Sequence, residues 1–364
     1  ININKTKVMI FSKGRPQNNL KFYINNEEIE IVKNYKYLGV VFSRNASFFA
    51  TRKYLRDQAT RAMYCVIKKC RSNHLSIECQ LDMFDKAVLP ILLYGAEIWG
   101  YENLDILERV HLSFCKHVLR LKRSTPNFMV YGELGRYPIS LYVKLRMIKF
   151  WCNLLDNTLD NKISSMLYKL IYINYNKYGI ENNWLLFIKS IFDNCGMSNI
   201  WQNQDCISKN WIVLSIEQKL KDQFRQEWFA NVNQSSKGLC YKLFKTELKF
   251  ENYISVLSLK NALKLCKFRC GNHRLPVETG RWQNVQRQER LCHLCESADI
   301  GDEFHYVMSC PFFKKERYKY LPHYCCTNVN ILKFKNVFTT VNIVLLEKLC
   351  RFINYISVKV CPPG

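Results

Sequence analysis

The sequence has no hydrophobic run long enough to cross a membrane. Its most apolar stretch, residues 87–101, contains Pro90 and Glu97 and is shorter than the roughly 20 residues that a membrane-spanning helix needs. The basic residues are spread along the chain and do not gather on one amphipathic segment, which disfavours a membrane surface as partner. The first residues contain neither a Met nor a signal peptide, so we expect the chain to begin within a longer reading frame.

Acidic residues are scarce. The chain has 30 Asp and Glu against 54 Lys and Arg, and its formal net charge is +24. A charge excess of this size attracts polyanions and predicts RNA or DNA as the partner. Hydrophobic residues make up 48% and aromatic residues 14% of the 364 residues, which excludes a disordered chain and allows two or three domains.

A regular cysteine framework is also absent. The 17 cysteines are odd in number and irregular in spacing, unlike the even sets of disulfide-stabilised secreted domains. We therefore expect reduced thiols and an intracellular location, nuclear or cytoplasmic, with most cysteines acting as small buried hydrophobic residues.

One stretch concentrates metal-binding side chains in the pattern C-x2-C-x9-H-x4-C. Its members are Cys292, Cys295, His305 and Cys310. Three thiolates and one imidazole fill a tetrahedral shell completely, which is typical of a structural zinc site. Glu303 lies two residues before the histidine, and we predict that it holds the second ring nitrogen. The sequence therefore predicts one structural Zn²⁺.

The N-terminal segment, residues 1–44, is predicted to form strands. Apolar runs on both sides of Asn25 and Asn26 are typical of a hairpin with a two-residue turn. Residues 35–43 are predicted to form one further strand with Gly39 at its centre. A glycine at that position indicates a bulge, or a place where another backbone or a ligand comes close.

The remainder is predicted to be helical. Residues 45–123 have apolar residues at helical spacing, and the opposite face of the first helix carries Arg52, Lys53, Arg56 and Arg61. Residues 124–257 form a helical connector in which 170–210 is predicted to contain only short helices and loops. The fold class is therefore mainly α, with a small N-terminal β-hairpin.

Residues 258–325 form the predicted zinc-binding module, followed by a strand-like or helical tail, residues 326–364. Basic and aromatic residues alternate in the module, as they do where phosphates are held and unpaired bases stack. For most of these aromatics, packing of a small domain around its metal is the better explanation. The phosphate contacts predicted in the module are Lys264, Lys267, Arg269, Arg281 and Arg290.

Several motifs follow one another along the chain: Asn4-Lys-Thr-Lys-Val-Met-Ile-Phe11, Tyr37-Leu-Gly-Val-Val-Phe42, Leu92-Leu-Tyr-Gly-Ala-Glu-Ile-Trp99, residues 107–121, Gly280-Arg-Trp282, Glu289-Arg-Leu-Cys-His-Leu-Cys295, and Gly301-Asp-Glu-Phe-His305 with Cys310-Pro311. In this order they resemble the C-terminal part of a non-LTR (LINE-type) retrotransposon reverse transcriptase. The resemblance implies the end of the palm with primer-grip strands in 1–44, a thumb-like bundle in 45–123, and the family's zinc-binding segment near the C-terminus. It also implies that Gly39 lets a primer backbone approach.

The catalytic part of that family is missing from this sequence. DNA synthesis in the family needs metal-binding carboxylates, one set in a Tyr-x-Asp-Asp turn, and two Mg²⁺ ions that clamp the reacting oxygens. No Tyr-x-Asp-Asp occurs here. We therefore expect this chain alone to be inactive, with Mg²⁺ a cofactor only of a longer parent enzyme and the missing palm and fingers as a protein partner.

Two alternatives remain open at this point. The first alternative is a zinc-stabilised protein-interaction module. The second is a non-functional remnant of a truncated element. An independent zinc enzyme is disfavoured, because the closed ligand set leaves no position for a reacting water.

Overall fold

The structure is a computed structural model that describes residues 2–12, 20–155, 163–204, 206 and 208–360. Within these residues the chain is mainly helical, as predicted, and its strands form two small antiparallel hairpins. No described helix combines the length and apolarity that would let it cross a membrane.

The first hairpin confirms the predicted turn. Strands β1 (Phe22–Ile24) and β2 (Glu27–Ile29) pair across Asn25 and Asn26, whose φ angles are 50° and 66°. Two consecutive positive φ angles match the right-handed twist of the flanking strands, and asparagine tolerates them better than most residues.

The second hairpin corrects the prediction of a continuous strand over 35–43. Strands β3 (Asn34–Tyr37) and β4 (Val40–Ser43) pair with each other, and Leu38 and Gly39 form the turn with φ angles of 47° and 83°. The Tyr94 hydroxyl donates to the Leu38 carbonyl at 2.8 Å, and the Tyr94 ring lies 3.1 Å from where a Cβ of Gly39 would be. The positive φ of the turn and the close approach of the Tyr94 ring are enough to explain why a glycine occupies position 39, and no primer backbone is needed for that explanation.

The chain divides into two compact units, each assembled from three separate stretches. The first unit comprises Ile1–Lys69, Met83–His111 and Pro138–Leu220, and the second comprises Cys70–Asp82, Leu112–Tyr137 and Lys221–Gly364. The division into five consecutive functional segments stays a prediction.

The first half of the helical region follows the predicted periodicity. Leu55, Ala59, Met63 and Val66 form a buried row along the first helix. Pro90 falls in the first turn of the third helix, where its missing N–H leaves no hydrogen bond unmade. The helices are α1 (Phe49–Ser72), α2 (Ile77–Ala87), α3 (Leu89–Leu92), α4 (Ala96–Trp99), α5 (Asp105–Val118), α6 (Asn127–Leu134) and α7 (Ile139–Leu154).

Residues 163–204 are more regular than predicted. Here the structure has α8 (Ile163–Tyr178), α9 (Asn183–Asn194) and α10 (Ser198–Asn203), followed by α11 (Lys209–Gln234). Their aromatic residues pack around Trp151 of α7, which donates to the Tyr168 hydroxyl at 2.8 Å and stands edge-on to Phe192 at 4.7 Å. Helices α8 and α9, of 16 and 12 residues, are longer than the short helices predicted for 170–210, whereas α10, of 6 residues, agrees with that prediction.

The second unit packs around the C-terminal helices. Its further helices are α12 (Tyr241–Phe244), α13 (Asn252–Val256), α14 (Leu259–Arg269), α15 (Pro276–Trp282), α16 (Lys314–Tyr320), α17 (His323–Cys326), α18 (Ile331–Thr339) and α19 (Ile343–Val360). The Phe352 ring of α19 packs on Phe313 and Tyr320, and Cys350 donates to the Asn261 carbonyl of α14. The described part of the predicted tail, residues 326–360, is therefore mainly helical and part of this core.

Candidate metal centre

A short antiparallel turn presents the first two cysteines. Leu291 and Ile300 pair as an isolated bridge, and the Cys292 amide donates to the Asp299 carbonyl at 2.9 Å. The chain reverses between them through Ala298, whose φ is 53°. Both thiols of the C-x2-C pair are thereby displayed on one side of a tight loop.

The other two ligands lie on the segment that follows. Asp302 accepts from the His305 amide at 3.0 Å, and residues His305–Ser309 form a single π-helical turn. The Cys310 amide closes this turn on the His305 carbonyl at 2.7 Å. The wider π turn carries the chain from the histidine to the cysteine, and such turns are frequent at functional sites.

The structure brings together all four predicted ligands. Their ligand atoms all lie within 4.8 Å of one another. The sulfurs of Cys292 and Cys310 are 4.0 Å apart, and the Cys295 sulfur is 3.4 Å from His305 Nε2. A tetrahedral Zn²⁺ with ordinary bond lengths would separate two sulfurs by about 3.8 Å and sulfur from nitrogen by about 3.6 Å. The cluster could therefore bind a metal ion.

The second ring nitrogen of His305 has a different partner from the one predicted. His305 Nδ1 lies 3.2 Å from Asp299 Oδ2 and 3.3 Å from Ser309 Oγ. Glu303 points elsewhere and contacts His273 Nε2 at 2.9 Å, where both side chains are buried. The prediction for Glu303 was wrong, because the turn itself places Asp299 beside the ring. A carboxylate at Nδ1 orients Nε2 toward a metal.

The cluster is largely enclosed. Cys292, His305 and Cys310 are buried and Cys295 is half-buried. Burial raises the pKa of the Cys310 thiol to about 12, and the nearby Cys292 thiol adds to this. A bound divalent cation would offset the free-energy cost of ionising these buried thiols, since it stabilises thiolates strongly.

Arg317, which sequence reasoning missed, holds the backbone of the metal centre. Its guanidinium donates to the Val307 and Cys310 carbonyls at 2.8 and 2.9 Å.

Arg290, predicted to contact phosphate, instead stabilises the backbone beside the metal centre. Its guanidinium donates to the Val277 carbonyl at 2.8 Å and to the Val285 carbonyl at 3.0 and 2.8 Å. The arginine stem passes so close to Gly280 that a Cβ there would lie 2.6 Å from it. Because all three guanidinium nitrogens of Arg290 donate to backbone carbonyls, the predicted phosphate contact is replaced by these hydrogen bonds.

Arg269 is buried in an ion-pair network and is not exposed to a nucleic acid. Its guanidinium contacts Glu133 Oε1 at 3.2 Å and Glu251 Oε2 at 2.9 Å, donates to the Phe338 carbonyl at 3.1 Å, and lies over the Phe244 ring. A buried arginine needs such partners. The ion pairs of Arg269 with Glu133 and Glu251 therefore take the place of the predicted phosphate contact.

Arg52 of α1, also predicted to contact phosphate, is likewise buried in an ion pair. It is buried, and its guanidinium bonds the Glu102 carboxylate and the Asn103 carbonyl. Arg56 pairs with Asp57 at 2.6 Å on the half-exposed side of the helix. Lys53 and Arg61 remain exposed.

The other basic residues predicted in the module lie at a groove and a turn. Lys264 and Lys267 line an open groove of about 300 Å³ together with Arg274, and the Lys264 amine donates to Asn354 at 2.7 Å. Arg281 donates to the Ser236 carbonyl at 2.7 Å. These lysines and Arg281 are not part of the metal centre.

The chain was compared with models of protein families, with curated proteins and with solved structures, and none of them matches significantly.

Proposed function

We propose that this chain is the nucleic-acid-binding C-terminal part of a non-LTR retrotransposon-type RNA-directed DNA polymerase. The resemblance of its motifs supports the family, and the absence of a Tyr-x-Asp-Asp turn supports a role in binding and not in catalysis. Mg²⁺ would then act only in a longer parent enzyme. RNA or DNA, and the missing palm and fingers, are its proposed partners.

The observation that carries this proposal is an uncompensated basic face on α1. Four exposed residues lie within a quarter-turn of one another around the helix: Lys53, Arg61, Tyr64 and Lys68. No ion pair neutralises the three cations among the residues that the structure describes, while Asp57 on the same face is paired with Arg56. Tyr64 is 62% exposed. Cations beside an exposed aromatic ring suit phosphates and bases.

Zinc is the ion that we propose for the metal centre. Three cysteines and one histidine favour Zn²⁺ over harder cations such as Mg²⁺, which prefer oxygen ligands. With all four positions supplied by protein, the ion acts as a structural staple and leaves no site for a bound water. The proposed ion therefore stabilises residues 290–310 and takes no part in a reaction.

Salt-dependent binding tests the proposed function. We expect the protein to retain an RNA–DNA duplex at about 50 mM salt and to lose affinity steeply by about 200 mM, because phosphate contacts release counterions. The triple variant Lys53→Gln, Arg61→Gln and Lys68→Gln should reduce the slope of log K against log salt by about two to three. Changing the exposed Lys314, Lys315 and Lys319 of α16 to Gln removes the same charge elsewhere and should change the slope less. Absence of salt-dependent retention would refute the proposal.

A second candidate function, a zinc-stabilised protein-interaction module, is favoured by the exposed apolar side of α8. These residues recur at helical spacing and are each at least half exposed: Ile163, Met166, Leu167 and Leu170. Apolar stripes of this kind indicate protein contacts. Changing Leu167 and Leu170 to Lys should then abolish association with the upstream part of the reading frame, expressed separately, and leave duplex retention unchanged. Unchanged association would rule this candidate out.

A further inference from the structure

Four cationic side chains meet at one place in the second unit, around the turns at 122–124 and 235–238. The Lys116 amine donates to the Arg123 carbonyl at 2.8 Å, and the Lys237 amine donates to the adjoining Ser124 carbonyl at 3.4 Å. The Arg281 guanidinium donates to the carbonyl of Ser236, the residue before Lys237, at 2.7 Å. Backbone carbonyls thus hold three cationic head groups in place.

The fourth cation brings an aromatic ring into the group. The Lys122 amine lies 3.9 Å from the centroid of the Trp282 ring, and Trp282 follows Arg281 directly in the chain. The indole is 52% exposed and can therefore be reached from solvent. We call Lys116, Lys122, Lys237 and Arg281 the lysine cluster.

Acidic residues do not neutralise the lysine cluster. Across the described part of the chain its only ion pair is the one from Arg281 Nε to Glu278 Oε2, at 3.6 Å, which is too long for a hydrogen bond. Burial lowers the pKa of Lys116 and of Lys237, and the proximity of Lys237 lowers that of Lys116 further. Burial raises the pKa of Glu278, and this is one carboxylate beside four cations. Like charges gathered in this way oppose folding and suit an external anion.

We propose that the lysine cluster binds the phosphates of a single-stranded nucleic acid, with Trp282 stacking against one of its bases. This inference rests on the proposed function and locates a binding site for it outside α1. Single-strand sites combine a cationic track with an exposed aromatic ring, and here backbone hydrogen bonds already orient the cations.

The test compares two variants that lose equal charge. One carries Lys116→Gln, Lys122→Gln and Lys237→Gln, and the other carries the Lys53, Arg61 and Lys68 changes on α1. Binding of an end-labelled single-stranded RNA of about 12 nucleotides is measured by fluorescence anisotropy over a salt series. We expect the cluster variant to bind at least about tenfold more weakly and to lose about two from its salt slope, with a smaller loss for the α1 variant.

The outcomes separate the two proposals. If the wild-type protein binds neither this RNA nor the RNA–DNA duplex, the proposed function fails. If it binds the duplex but not the single-stranded RNA, only the lysine cluster is overturned. If the wild type binds and the cluster variant loses no more affinity than the α1 variant, the lysine cluster is overturned and the proposed function stands.

Smaller changes keep the test valid should the triple variant fail to fold. The contact of the Lys122 amine with the Trp282 ring is a cation–π contact, so we expect Lys122→Gln to fold normally and to bind RNA more weakly. Trp282→Leu should weaken RNA binding at least about fivefold, and Trp282→Phe should restore most of it, because phenylalanine also stacks. Wild-type affinity in both Lys122→Gln and Trp282→Leu would overturn the proposal.

Discussion

Two clusters in the second unit gather charged or metal-binding side chains, and they differ in how far apart their members lie along the chain. The metal centre takes its ligands from residues 292–310. The Arg269 network joins residues separated by as many as 136 positions in the sequence. The first is a local structure with a recognisable spacing, whereas the second exists only once the chain has folded.

The two clusters also differ in what balances their burial. In the metal centre, one bound metal ion would interact with all four ligands, so the stability of this cluster depends on an ion taken from solution. In the Arg269 network, Arg269 and Lys245 balance the charges of Glu133 and Glu251 within the protein. Removing one member of either cluster leaves the others with fewer partners, which is costly for the buried groups.

The largest expected effect is the loss of a metal ligand. Cys310→Ala should abolish metal binding and unfold residues 290–310, because the apparent free energy of a structural zinc site is on the order of 10 kcal/mol. Elemental analysis and hydrogen exchange of this segment measure both effects. Cys325→Ala, which removes a buried thiol outside the centre, should leave the metal content unchanged. Full metal content in Cys310→Ala would contradict the four-ligand assignment.

The next effect tests the buried network. Arg269→Met should lower the free energy of unfolding by about 3–5 kcal/mol, because the fully buried Glu133 would lose its ion pair with the guanidinium. Denaturant unfolding measures the change. The exposed Arg351 provides a matched control, and Arg351→Ala should stay within about 0.5 kcal/mol of wild type. A stable Arg269→Met protein with weakened RNA binding would instead restore Arg269 as a phosphate contact.

A smaller effect separates Asp299 from Glu303. Asp299→Asn should weaken metal affinity about 10- to 100-fold, because it loses the carboxylate beside His305 Nδ1. Glu303→Gln should leave metal affinity near wild type, since Glu303 contacts His273. Competition with a chromogenic chelator measures both affinities. The opposite ranking would show that Glu303 orients the histidine after all.

The smallest expected effect on stability comes from the α1 face. Changing Lys53, Arg61 and Lys68 together to Gln should alter the free energy of unfolding by no more than about 0.5 kcal/mol per site, because exposed charges away from ion pairs contribute little. A thermal melt provides the measurement. Strong destabilisation would give these cations a structural role like that of Arg52.

Local sequence signals predicted the elements that depend on local chemistry. Asn25 and Asn26 predicted the first hairpin because asparagine tolerates positive φ. The second hairpin escaped prediction because its turn places Leu38, which has no such preference, at a φ of 47°. The full length of α9 was missed although its buried residues Leu185, Ile188 and Phe192 recur at helical spacing, so a local signal was overlooked there.

The same limit applies to the site. The spacing of Cys292 to Cys310 predicted the ligands, because two short segments suffice to bring them together. Arg269 and Arg52 were predicted to be exposed, although each is buried against a carboxylate that is distant in sequence. Composition gives the number of cations but not which of them the fold will neutralise. Among the residues that the structure describes, the exposed face of α1 and the lysine cluster are two groups of cations that ion pairs leave largely uncompensated.

X-ray absorption at the zinc edge tests the central claim most directly. We predict one zinc per chain in the purified protein, bound by three sulfurs at about 2.3 Å and one imidazole nitrogen at about 2.0 Å, with no oxygen ligand. A protein that purifies without a metal ion, or whose zinc carries a water or carboxylate oxygen, would contradict a closed structural site.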